Sequence, residues 1–268
     1  MRSRAKSHFA CVMATLLFAI PDMSASQEES DNRLSRLKPH MDIQKPSDDG
    51  PFPVMVMVTG CSGFHNERFQ PSYDRTGNRF VEMGYVVIRV DYLRSHGLEN
   101  SCVGDQNPTG EVVPAEEIAA DVLATVEYAA SIPNVRSEKI YAIGWSLGGR
   151  GILEAFSRIE PHNTEPISAA ITYFPGCVGL TSWSVDIPVL MLLAEHDNIS
   201  PPSFCRELVA KLVDTDSVEL HQYPDAHHCF TTPELPTVTE ARTETTCAYS
   251  PDADKASWQQ ILEFLDDH

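Results

Sequence analysis

"KIYAIGWSLGGRGILEAF", residues 139–156, decides the fold. An apolar run ends at Trp145, a serine follows, and beyond the glycines the apolar residues Ile152, Leu153, Phe156 and Ile159 recur at helical spacing. The pattern is strand, corner, helix. Ser146 occupies the corner, with Gly144 and Gly148 two residues to either side, where side chains would collide with the turn. So sharp a corner strains the backbone at the serine and lifts its Oγ out of the sheet. The amide of Leu147, at the helix start, then points to where an oxyanion would form. A glycine-rich turn with an incidental serine is the alternative. The strand before the corner and the helix after it weigh against that.

Five further apolar runs surround this unit: "PVMVMVT" (53–59), "YVVIRVD" (85–91), "ISAAITYF" (167–174), "IPVLMLLA" (187–194) and "VELHQY" (218–223). They are near-continuous rather than alternating, as strands covered on both faces are. Helical spacing fills the intervals 74–83, 115–131, 147–159, 202–213 and 252–266; Ile118, Val122, Val126 and Ala129 form one such stripe and Trp258, Ile261, Leu262 and Leu265 another. Strands alternating with helices give an α/β fold, a mostly parallel sheet with helices on both faces. Ligands of such folds sit beyond the carboxyl ends of the strands, so function is sought just after each apolar run.

A serine hydroxyl needs a base to take its proton, and the base needs a partner to fix its tautomer. "YPDAHHCF" (223–230) follows the last apolar run and offers His227 and His228. "EHDNISPP" (195–202) follows the run before it and offers Glu195 and Asp197; Asp197 stands three residues past the strand, ahead of a turn, where it can curl over the sheet edge. The order Ser, acid, His is the one a hydrolase with a nucleophile elbow requires. A second oxyanion donor is expected in "TGCSGFHNERF" (59–69), with the amide of Cys61 favoured over that of Ser62, and His65 in the same loop is read as a surface or substrate-lining residue. The loop 94–114 is expected to form one wall of the pocket, where Arg94 or His96 would either recognise an anionic substrate group or serve surface ion pairs.

The N-terminus reads differently from the rest. Arg2, Arg4 and Lys6 precede the apolar run "FACVMATLLFAI" (9–20) and small residues near Ala25 and Ser26, the pattern of a secretory signal. The run is well short of the ~20 residues that span a bilayer. The expected organisation is therefore a signal peptide at 1–25, a flexible or surface-hugging polar lead-in at 26–51, and one catalytic domain at 52–268, secreted or periplasmic, with no membrane contact after signal removal. A net charge of −18 over 268 residues makes nucleic acid an unfit partner. Six cysteines lie beyond the leader, Cys61, Cys102, Cys177, Cys205, Cys229 and Cys247, an even count that implies disulfides in an exported chain. "HHC" at 227–229 has no second spaced pair of ligands, so neither a metal nor an organic cofactor is implied.

Together, "VMVTGCSGF", "RVDYLRSHGLENSC", "IGWSLGG", "MLLAEHDNISPP" and "YPDAHHCF" resemble, in order, the dienelactone hydrolase family of α/β-hydrolases over most of 52–268. The resemblance implies His228 rather than His227 as base, Asp197 as acid, and cysteine pairs 61–102, 177–205 and 229–247. The chain departs from the family in two ways. The namesake enzymes use a cysteine nucleophile where this chain has Ser146, which implies an ordinary ester rather than dienelactone. Thr59 stands where many relatives have histidine. The expected activity is hydrolysis of a small-molecule carboxylic ester through an acyl-enzyme. The alternatives are a serine peptidase of prolyl-oligopeptidase type, whose elbow "GWSLGG" also resembles, and a catalytically silent hydrolase fold that binds a ligand.

Overall fold

The apolar runs become the centre of one seven-stranded sheet. The computed structural model of the protein describes residues 23–102, 107, 109–159, 167–180, 183, 186–212, 217–237 and 246–268. The expected signal peptide lies outside the described residues, apart from Met23–Ala25 at the start of the first helix. Strands β1 (Met41–Gln44), β2 (Phe52–Val58), β3 (Val86–Val90), β4 (Val135–Trp145), β5 (Ala169–Tyr173), β6 (Val189–Ala194) and β7 (Val218–Tyr223) stand in the order β1-β3-β2-β4-β5-β6-β7. All neighbouring pairs are parallel except β1 with β3.

Alternate residues of each strand serve opposite faces. Val54, Val56 and Val58 of β2 join the core that contains residues of α4 (Ala115–Ala130), α5 (Leu147–Phe156) and α6 (Pro202–Val209). Met55 and Met57 join the core that contains Tyr73 and Phe80 of α2 (Gln70–Glu82) and Ile261 and Phe264 of α7 (Pro251–Asp267). This covering on both sides is why the strands read as unbroken apolar runs. Because β3 and β4 lie on opposite sides of β2, the chain reverses its progress across the sheet there. The loops leaving β2 and β4 diverge at that point and open a crevice at the carboxyl edge.

The expected lead-in needs correction. The segment 26–51 is not a loose approach to a core starting at 52: it carries most of α1 (Met23–Leu37), a 3-10 turn (Lys38–His40) and β1. β1 pairs with β3 from Met41↔Val90 to Gln44↔Val87, so the sheet begins some ten residues early. α1 has a polar sequence and is fixed by tertiary contacts. Leu37 is fully buried, and Arg33 and Arg36 each donate to Asp121 Oδ1 of α4 at 2.8 Å. Asp121 Oδ2 lies 3.0 Å from His96 Nε2. Burial pushes the Asp121 carboxyl up, but its bonds to His96 and Arg33, with Arg36 close by, outweigh burial and hold it below the usual carboxylate value.

Candidate active site

The corner between β4 and α5 has the geometry its sequence demands. Ser146 sits at φ 50° and ψ −114°, a left-handed region that non-glycine residues avoid, and its amide donates to Tyr173 O at 2.9 Å. The glycine at 148 lets α5 start hard against β2: a Cβ there would overlap the carbonyl oxygens of Val58 and Thr59. At Gly144 a Cβ would come within 2.7 Å of the Gly149 nitrogen. Any side chain at either position would push the serine out of place.

Three side chains from three strand ends meet above this corner. His228 Nε2 lies 3.0 Å from Ser146 Oγ, and His228 Nδ1 lies 2.7 Å from Asp197 Oδ2. An ionised carboxylate only accepts hydrogen bonds, so the imidazole proton belongs on Nδ1, which leaves the Nε2 lone pair facing the serine hydroxyl. Asp197 Oδ1 accepts from the amides of Ile199 and Ser200 at 2.9 and 2.7 Å, an Asx turn that fixes the carboxylate immediately after β6. Asp197 and His228 are both buried, and the ring of Phe174 lies 4.6 Å from the imidazole. The backbone of His228 is tied in turn by Ala248 N, which donates to His228 O at 3.2 Å.

The other candidates fall elsewhere. Glu195 is exposed, whereas Asp197 is buried. His227, the rival base, lies against the ring of His196 at 5.6 Å. Arg94 and His65 line a separate polar cavity of about 270 Å³, where His65 Nε2 is 3.3 Å from Asp91 Oδ2. His96 is bound to Asp121. Of the loop 94–114, Cys102 reaches the wall around Ser146, and residues 103–106 and 108 lie outside the described residues.

Sequence reasoning missed the two tyrosines that hold the loop after β2. The Gly60 amide donates to the Tyr73 hydroxyl at 3.2 Å, and the Tyr92 hydroxyl donates to Gly60 O at 3.3 Å. Burial raises both phenols above their ordinary value, so both stay protonated. Ser101 N donates to Cys61 O at 2.8 Å. The aromatic periodicity of Tyr73 and Phe80 marks a core face, but nothing in it announces what the hydroxyl does.

The three cysteine pairs implied by the resemblance are brought to bonding distance: Cys61–Cys102, Cys177–Cys205 and Cys229–Cys247, with Cα separations of 4.8, 5.0 and 5.1 Å. Each anchors a loop at the carboxyl edge of the sheet. Cys61 follows β2, Cys177 follows β5 and Cys205 lies in α6 beyond the aspartate turn, while Cys229 is next to His228. The bond to Cys247 takes the Cys229 thiolate out of reach of any metal that "HHC" would hold. Among the described residues no group of three or more His, Cys, Asp or Glu side chains could share a metal ion, and no helix is long and apolar enough to cross a membrane. A cavity of about 410 Å³ opens over Ser146 and His228, walled by the 61–102 and 229–247 disulfides.

Comparison with known proteins agrees with this architecture. No curated protein matches the chain. Among solved structures, a candidate dienelactone hydrolase from Klebsiella pneumoniae subsp. pneumoniae is similar at a TM-score of 0.65 and 19% identity, covering 85% of this chain and 99% of its own. A dienelactone hydrolase-like promiscuous phosphotriesterase from metagenomic libraries follows at 0.61 and 16%, covering 85% and 98%. Thermogutta terrifontis esterase 2, phosphonylated by cyclosarin, is similar at 0.56 and 16%, covering 85% and 88%. At these identities the likeness concerns the fold, a hydrolase α/β sheet. The family model for dienelactone hydrolases matches residues 42–268, from the second residue of β1 to the C-terminus, and the chain therefore belongs to the dienelactone hydrolase family.

Proposed function

We propose that the protein is an exported serine hydrolase that cleaves carboxylic esters through an acyl-enzyme. The observation that carries this reading is the 3.0 Å approach of His228 Nε2 to Ser146 Oγ with Asp197 at 2.7 Å on the other ring nitrogen. His228 takes the serine proton as Oγ attacks the ester carbonyl, and Asp197 stabilises the imidazolium that results. The proton then passes to the leaving alkoxide as the tetrahedral intermediate collapses. Water, activated by the same imidazole, releases the acid and restores Ser146.

The developing oxyanion is bound by the amides of Leu147 and Cys61. Leu147 is the first residue of α5, and its N–H has no carbonyl one turn earlier to bond to. The Gly60 amide is already bonded to Tyr73, which leaves the next amide, Cys61, as the donor on the facing loop. Support from relatives is chemical: the Thermogutta terrifontis esterase is described as phosphonylated, the outcome expected when an activated nucleophile meets an organophosphorus agent. Export is supported by the leader-like residues 1–25 and by three cysteine pairs that persist only in an oxidising compartment.

Ser146→Ala tests the proposal. The variant is expected to lose p-nitrophenyl ester hydrolysis by at least about 10³-fold with an unchanged circular dichroism spectrum. Activity within tenfold of the parent would refute the assignment.

A further inference from the structure

We propose that the cavity accepts an ester whose acyl group is uncharged, and that it discriminates against carboxylate-bearing substrates. The inference rests on the esterase reading above; of the two alternatives the sequence left open for Arg94 and His96, an anionic substrate group or ion pairs, their contacts fit the ion pairs. Among the described residues, no Lys, Arg, Asp or Glu side chain lines the cavity over Ser146. Its apolar wall includes Phe69, Tyr73, Phe174 and Ile199. Two of its hydroxyls are already committed: Ser72 Oγ donates to Thr231 O at 3.1 Å, and Thr76 Oγ1 donates to Ser72 O at 3.1 Å.

Among the described residues, three arginines around the cavity are occupied by partners, and one of them, Arg75, also donates to the lining hydroxyl Ser72 Oγ at 2.8 Å. Arg75 of α2 binds Glu234 through both carboxylate oxygens, at 2.6 and 3.1 Å. Arg150 of α5 donates to the carbonyls of Gly176 and Val178. Arg94 lies in the neighbouring polar cavity between Asp91 and Glu99, at 3.8 and 3.9 Å. A carboxylate entering the site would shed its water and gain no counter-charge from the described lining, a loss that an isosteric apolar chain avoids. The net charge of −18 adds a long-range repulsion in the same direction. At the rim, Ile199 lines the cavity while half its surface is exposed, offering apolar contact to an incoming chain.

The test compares p-nitrophenyl butyrate with p-nitrophenyl hemisuccinate, alike in acyl length and different in charge, at about 0.15 M and 1 M salt. The expected result is a kcat/KM at least about 100-fold higher for the butyrate, most of it surviving in 1 M salt because the local lining, unlike the distant net charge, is not screened. Ile199→Lys, which alters an exposed side chain, is expected to narrow the gap about tenfold by raising the hemisuccinate rate. Hemisuccinate within tenfold of butyrate in the parent would overturn the proposal, as would a gap that the lysine leaves untouched. Labelling of Ser146 by a fluorophosphonate separates the two levels. With Ser146 labelled, equal rates defeat the substrate class alone. With no labelling and neither ester cleaved, the esterase reading fails and takes this inference with it.

Discussion

Two of the His–Asp pairs in this molecule, each with a buried carboxylate, differ in what surrounds them. At the carboxyl edge of the sheet His228 meets Asp197 at 2.7 Å; on the flank between α1 and α4, His96 meets Asp121 at 3.0 Å. Asp121 shares its charge with two guanidinium groups, Arg33 and Arg36. Asp197 is held by two backbone amides, which fix its orientation without cancelling its charge. Its histidine keeps a second nitrogen free to face a hydroxyl on a strained corner. On the proposed reading, a His–Asp pair serves as a general base through what stands on its far side, whereas a pair whose carboxylate is neutralised by arginine serves as a clamp.

The contrast can be broken from either side. The largest expected effect is on turnover. Asp197→Asn keeps an oxygen for the Ile199 and Ser200 amides but removes the charge, and kcat should fall by about 10³ to 10⁴ with the thermal midpoint nearly unchanged. A drop of less than tenfold would remove Asp197 from the mechanism. The smaller effect is on stability. Asp121→Asn should cost about 2 kcal/mol, lowering the thermal midpoint by roughly 5 °C, with kcat/KM within twofold of the parent. Because the folded carboxyl of Asp121 lies below its ordinary value of 3.8, its stabilisation is complete above that pH and is lost as pH falls through the depressed folded value. The stability gap between parent and Asp121→Asn is therefore expected to be full at neutral pH and to close under acid. Urea unfolding at pH 7 and in acid checks it, and a gap that widened on acidification would contradict the assignment.

The sequence was a better guide to the sheet edge than to the flank, for physical reasons. Strands buried on both faces leave unbroken apolar runs, so β2 to β7 could be found. The tight corner requires glycines, so Ser146 could be singled out. β1 is four residues long, half-polar and at the sheet edge, and the apolar–polar alternation of "MDIQ" is too short to stand out from the polar residues around it. α1 has almost no apolar face because the groups that hold it are charged and lie some 85 residues away in α4, a partnership that no local pattern records. Likewise the choice between His227 and His228, and the pairing of six cysteines, came from resemblance to a family and not from the residues. Adjacent histidines differ only in which way the loop turns them, and that is settled by Phe174, Ala248 and the Cys229–Cys247 bridge. For Arg94 and His96 the sequence left an anionic substrate group and ion pairs both open, because a loop at the right strand end can still fold its side chains toward other partners, as both do here.

The central claim is that the 228 imidazole activates the 146 hydroxyl. The most direct measurement treats the oxidised protein with a fluorophosphonate and follows adduct formation by peptide mass spectrometry, in the parent and in His228→Ala. A single adduct on Ser146, formed at least about 100-fold more slowly without the imidazole, is predicted. No adduct in the parent, or one that forms equally fast in His228→Ala, would contradict the account.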